Sequence, residues 1–338
     1  MAFPAHVEAL RLEMVERVWK ESTVVGPLPE LMCDIMAYIP KPVLTLEEIS
    51  LPGGPDFIFV RGGIIYGIFK QERLIFLTQM CPPGKHTDLV KSTRSQRWYY
   101  NATYFYDSGA SHLYILHDDA GTSSTDSKIR GTVSLLVYDV EASKVHKVLK
   151  LPNLSGAGEF PCKMAAVGTS VFLGVQWSRD SGESSRASEV LHVNSEGNVA
   201  VLWYVYDREV KLVGLHPVSA SPLLLDVIYC EGHTCHSVRL EMIHSTAPVV
   251  FEEKNRYRIS MNGSSGVFGG GILMVRSASE ISLLDSRLRS IFNELSFPGN
   301  PQIIAVQTDR YGGIYFLLER RVNSMDRYRV LCAHPYFN

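Results

Sequence analysis

The stretch GGIYFLLERR, residues 312–321, follows directly on the alternating run QIIAVQTDR and decides how the chain is read. Two glycines leading straight into Ile, Tyr, Phe and Leu have the form of a tight turn between two strands. The same small-residue step precedes an apolar run at six places. The runs begin at Ile64, His112, Val171, Pro222, Ile272 and Ile314, and the last small residues before them are Gly63, Ser111, Ser170, Ser221, Gly271 and Gly313. Successive differences between those positions are 48, 59, 51, 50 and 42. The longest interval holds the polar stretch DDAGTSSTDSKIRG, residues 118–131, and removing most of it restores the period.

Each run is preceded by a strand-like segment: FIFVR, TYFYD, KMAAV, KLVGL, YRISM and QIIAV in turn. A third alternating segment usually follows, such as TVSLLVYDV or EISLLD, and often a fourth. A four-stranded unit of about 40–50 residues is the size of one propeller blade. The expectation is therefore an all-β six-bladed propeller, with seven blades as the structural alternative. EISLPGG (48–54), KVLKLPN (147–153) and ELSFPGN (294–300) share an ending, and the latter two fall where an outermost strand should stop. The first then has to be an outermost strand with no blade before it. Residues 43–51 are accordingly expected to complete the last blade and remove a free sheet edge. This divides the chain into an N-terminal helical segment, 1–41, and a propeller, 42–338.

PQIIAVQTDRYGGIYFL resembles the repeats of six-bladed propellers of the NHL and SMP-30/gluconolactonase-like group, and SLLVYDVEASKVHKVLKLP resembles half of a kelch-type blade. The lactonase-like resemblance implies carboxylate and amide ligands converging on a divalent ion in the central channel. Asp107 and Asp309 follow innermost strands and belong at one end of that channel, while Asp56 precedes such a strand and belongs at the other. Their separation argues against a shared metal site, and all three are expected to shape turns.

In residues 5–20, Val7, Leu10, Met14 and Val18 share one helical face, with Pro4 suited to a first turn, and a second helix is expected over 29–38. LPELMCDIMAYIP, residues 28–40, resembles the opening of an F-box, which implies that Leu28, Pro29, Leu31, Ile35, Met36 and Ile39 contact a ubiquitin-ligase adaptor. The alternative is that these helices lie against the propeller.

With 46% hydrophobic and 20% charged residues and a net charge of -2, the chain reads as globular, with no general attraction to phosphate backbones or anionic membranes. Residues 1–20 interrupt any apolar core with charges, so a cytoplasmic or nuclear protein is expected. Six scattered cysteines are expected to be thiols. YCEGHTCHSV, residues 229–238, groups Cys230, His233, Cys235 and His236, all zinc-ligand types, in what reads as a solvated hairpin loop. RSQRWYYNATYFYD, residues 94–107, interleaves arginines with aromatics, a mixture found at interface hot spots and on single-stranded nucleic acid, though its second half reads as an inner strand. SRDSGESSRAS, residues 178–188, resembles a phosphodegron with Ser181 and Ser185 as acceptors.

No nucleophile, dinucleotide or metalloprotease motif is present. The expectation is a non-enzymatic interaction scaffold without cofactor or metal, engaging a protein partner through Arg97, Trp98, Tyr99, Arg179, Arg320 and Arg321 on propeller loops. A ubiquitin-ligase substrate receptor and a metal-dependent lactonase-like hydrolase are the alternatives. Neither membrane nor nucleic acid is expected as a partner.

Overall fold

A computed structural model describes residues 43–51, 53–71, 74–91, 101–118, 132–154, 160–176, 188–205, 210–220, 223–231, 234–244, 247–258, 266–276, 281–288, 290–295, 302–308, 313–322 and 325–336. They form six four-stranded antiparallel sheets. Blade 1 consists of β2 (Phe57–Arg61), β3 (Ile64–Gln71), β4 (Leu74–Cys81) and β5 (His86–Lys91). Blade 2 consists of β6 (Ala102–Asp107), β7 (His112–Asp118), β8 (Val133–Asp139) and β9 (Lys144–Leu151). Blade 3 holds β10 (Lys163–Val167), β11 (Ser170–Gln176), β12 (Ser188–Val193) and β13 (Val199–Val205), and blade 4 holds β14 (Val210–Ala220), β15 (Leu223–Glu231), β16 (Thr234–His244) and β17 (Ala247–Arg258). Blade 5 is β18 (Gly266–Gly269), β19 (Ile272–Arg276), β20 (Ile281–Asp285) and β21 (Ser290–Leu295). Blade 6 takes three strands from the end of the chain, β22 (Gln302–Thr308), β23 (Ile314–Val322) and β24 (Met325–Tyr336), and its fourth from the start, β1 (Val43–Ser50). The β1–β24 register runs from Val43 opposite Tyr336 to Ser50 opposite Arg329.

The sheets hold together because each strand turns alternate side chains to its two faces. In β2, Ile58 and Val60 lie in one apolar cluster with Tyr315, Leu317 and Val330 of blade 6, while Phe59 between them joins another with Leu113 and Ile115 of blade 2. In β7 the next residues along, Tyr114 and Leu116, face Met164 and Leu173 of blade 3. The remaining seams repeat the pattern, with Leu212 and Leu225 against Phe172, Ile228 against Leu273, and Met274 against Phe316. Six blades thus meet at six apolar seams, which is why the second and third strands read as nearly unbroken hydrophobic runs. Burial falls off outward: all of β8 but Asp139 is buried, whereas β9 beside it is mostly exposed.

One innermost strand differs from its expected place. YRISM begins inside β17, where Tyr257 and Arg258 pair with Cys235 and Thr234, and the strand that lines the centre of blade 5 is the shorter GVFG of β18. The 229–238 segment differs as well. It is strand over 229–231 and 234–238, and the β15–β16 register sets Cys230 opposite Cys235, which form a disulfide rather than a pair of thiols. Cys81, Cys162 and Cys332 are free.

Candidate functional site

The innermost strands β2, β6, β10, β14, β18 and β22 surround a central cavity of about 670 Å³. Glycine sets how closely its walls approach. A Cβ on Gly269 would lie 2.0 Å from the Val306 carbonyl oxygen, and one on Gly214 would lie 2.0 Å from the Phe268 ring. Only hydrogen fits at these positions, so β18 sits tight between β14 and β22. The Thr308 hydroxyl closes the same corner by donating to the Gly270 carbonyl at 2.8 Å.

On the side of blades 1 and 2, Asp56 lines the cavity just before β2. Its Oδ2 accepts the Lys70 backbone N–H at 2.7 Å, while its own N–H donates to the Ile68 carbonyl at 2.8 Å. Burial pushes the Asp56 carboxyl above its ordinary range, against the opposing effect of Lys70. Tyr104 reaches the cavity from β6, with its ring 5.9 Å from that of Phe57. Burial, and after it the Asp56 charge, raises its phenol far above the usual value.

On the side of blade 3, Cys162 and Lys163 open β10 into the cavity. Their backbone is fixed against β11. Lys163 pairs with Gly174, whose carbonyl accepts the Cys162 N–H at 2.9 Å, and a Cβ on Gly174 would stand 3.0 Å from that of Lys163. Desolvation lowers the Lys163 amine below its ordinary value, and the Lys211 charge adds to this against the opposing Cys162. Desolvation raises the Cys162 thiol. The resting pair is therefore biased toward a neutral thiol beside an amine that loses its proton readily. His216, tucked against Gly271, supplies a further titratable group from β14.

A divalent ion is poorly served here. Among the described residues no three His, Cys, Asp or Glu side chains gather into a ligand set. Asp56 and Asp107 do line one cavity despite lying at opposite strand ends. However, Asp107 Oδ1 is engaged by the N–H groups of Gly109 and Ala110 at 2.9 and 3.2 Å, as a turn-forming aspartate should be. The zinc-type cluster does not assemble either: Cys230 and Cys235 are bonded to each other, and His236 stacks on Tyr229 with centroids 5.0 Å apart.

Of the expected partner-binding residues, Arg320 and Arg321 belong to β23 and not to a loop, because the β23–β24 pairing extends to Val322 opposite Met325. Arg97, Trp98, Tyr99, Arg179, Ser181, Ser185, His233, Asp309 and the string containing Leu28, Pro29, Leu31, Ile35, Met36 and Ile39 lie outside the described residues. Sequence reasoning passed over Lys163 and His216, counted Cys162 only among the thiols, and took Tyr104 only as part of the arginine–aromatic run 94–107. The one hint was a lysine heading the otherwise apolar KMAAV.

No family model matches the chain, and no curated protein matches it. Among solved structures it is similar to a protein assigned as a gluconolactonase, at 9% identity over 94% of this chain and 100% of that one, with a TM-score of 0.48. It is also similar to the lignostilbene dioxygenase of Pseudomonas brassicacearum, at 9% identity over 83% of this chain and 72% of that one, with a TM-score of 0.45. Both are named as enzymes, and on that finding the expectation of a non-enzymatic scaffold is corrected. Likeness at this level concerns the fold, so the chemistry has to be argued from the cavity itself.

Proposed function

We propose that the protein is a hydrolase of small esters or lactones, of the lactonase-like kind, with its reaction in the central channel and Lys163 as the base. The observation that carries this reading is that Lys163, whose amine is lowered by desolvation, lines a cavity of about 670 Å³. An amine that is largely protonated in water cannot accept a proton, whereas one held below its ordinary range can do so closer to neutral pH. In the reaction, a water attacks the carbonyl carbon while its proton passes to Lys163 Nζ. The tetrahedral adduct then expels the alkoxide, which takes up a proton and leaves as the alcohol, or as the hydroxyl end of an opened lactone. No step is routed through a metal, since the described donors do not fit one.

The test is carboxylic acid release from a panel of short-chain esters and five- and six-membered lactones, with and without chelator. Turnover of at least one substrate, indifferent to chelator and lost in Lys163→Met, is expected. Rates indistinguishable from buffer across the panel would refute the reading.

A further inference from the structure

Lys163 is more than a proton acceptor in prospect. It stands at the start of β10 opposite Gly174, and it lines the central cavity together with Cys162. Cys162 is exposed and Lys163 is partly buried beside it. We infer that Lys163 captures small aldehydes and ketones inside the central channel as a Schiff base.

The amine nitrogen attacks the carbonyl carbon and forms a carbinolamine. Loss of water then leaves a carbon–nitrogen double bond, the carbonyl oxygen departing with the two protons of the neutral amine. No oxidant or reductant is needed, and the step reverses when water returns. The desolvation that lowers the Lys163 amine leaves more of it in the neutral, nucleophilic form, and the place of Lys163 on the wall of the central cavity puts it where a small carbonyl compound can enter. This capture shares with the hydrolase reading the access of small molecules to Lys163 and its lowered amine, and it requires no ester turnover.

The experiment treats the full-length protein with butanal and cyanoborohydride near neutral pH, which fixes the imine as a secondary amine, and follows each lysine by peptide mass spectrometry. Iodoacetamide labelling of Cys162 runs in parallel at alkaline pH, where even a raised thiol ionises, as a measure of channel access. Lys163 should be modified at least about tenfold faster than surface lysines, as expected of a nucleophile activated by burial. Modification at the surface rate, or none, would overturn the inference. If Cys162 is alkylated while Lys163 is not trapped, the channel is open and capture alone fails. If neither residue reacts, capture and hydrolysis both fail. Rapid trapping without turnover of any ester sinks the hydrolase and upholds the capture.

Discussion

The Asp226 carboxylate, 1% exposed, is clamped by Arg239 through two hydrogen bonds, Nε to Oδ1 at 2.7 Å and Nη2 to Oδ2 at 2.9 Å. The two residues face each other across β15 and β16. Ser286, from the neighbouring blade, donates to the same Oδ2 at 2.7 Å. The Ser237 hydroxyl returns a bond to the Ser286 carbonyl, so one carboxylate ties blade 4 to blade 5.

Removing one partner of such a buried pair leaves the other charge uncompensated, at a cost of about 3–5 kcal/mol. Asp226→Ala should therefore lower the denaturation midpoint strongly. A double Asp226→Leu, Arg239→Met variant should recover most of the loss, because apolar residues of similar volume carry no desolvated charge. Equal damage in the two variants would show that packing, and not charge pairing, governs the site.

Gly269 and Gly62 predict opposite severities for the same change. A Cβ on Gly269 meets a backbone carbonyl that has no flexible end to swing away, whereas Gly62 has nothing within 4 Å and only its positive φ of 57° to resist substitution. Gly62→Ala should cost about 1–2 kcal/mol through left-handed strain alone. Gly269→Ala should cost clearly more in thermal melts, and because β18 would be pushed away from β22, it should also depress channel activity.

The Cys230–Cys235 disulfide closes a short loop, with the two residues five apart in sequence. Loop-closure entropy then limits its worth to roughly 2 kcal/mol. Replacing both cysteines by serine should lower stability by about that amount without unfolding the protein at room temperature. Collapse of blade 4, seen as loss of protection from proteolysis, would mean that the bond does far more than shorten the unfolded chain.

Lys163 makes stability depend on pH in a definite direction. Its amine is depressed in the folded protein, so between that lowered value and the unfolded value near 10.4 the unfolded chain binds more protons, and stability rises with pH across this window. The penalty is fully present below the folded value. In a Cys162→Ala background, which removes the opposing effect of the raised thiol, Lys163→Met should be the more stable protein at pH 7, and the gap should narrow toward pH 10. A gap independent of pH would show that the amine is not desolvated.

The repeat was legible because tight turns leave a mark that packing cannot erase. Gly62–Gly63 and Gly270–Gly271 have positive φ, a conformation that favours glycine, and each pair appears in the sequence just before an apolar run. The assignment failed at blade 5 because β17 runs on to Arg258 and the inner strand that follows is GVFG, whose glycine serves close approach to β22 and lowers strand propensity. The disulfide escaped notice because the segment reads as a loop until the register sets Cys230 across from Cys235. The central channel followed from the propeller, and Asp56 was placed at one end of it, but the rest of its polar lining was not legible. Asp56, Tyr104, Lys163 and His216 come from four different blades, and nothing local distinguishes a lysine facing a channel from one that merely begins a strand.

The most direct test of the account is the pH–rate profile of ester or lactone hydrolysis by the wild-type protein beside Lys163→Met. The account predicts a wild-type rate that climbs with pH and levels off below the ordinary lysine range, and a variant slower by about 10²–10⁴-fold, as loss of a general base requires. Matching profiles for the two proteins, at any rate of turnover, would contradict it.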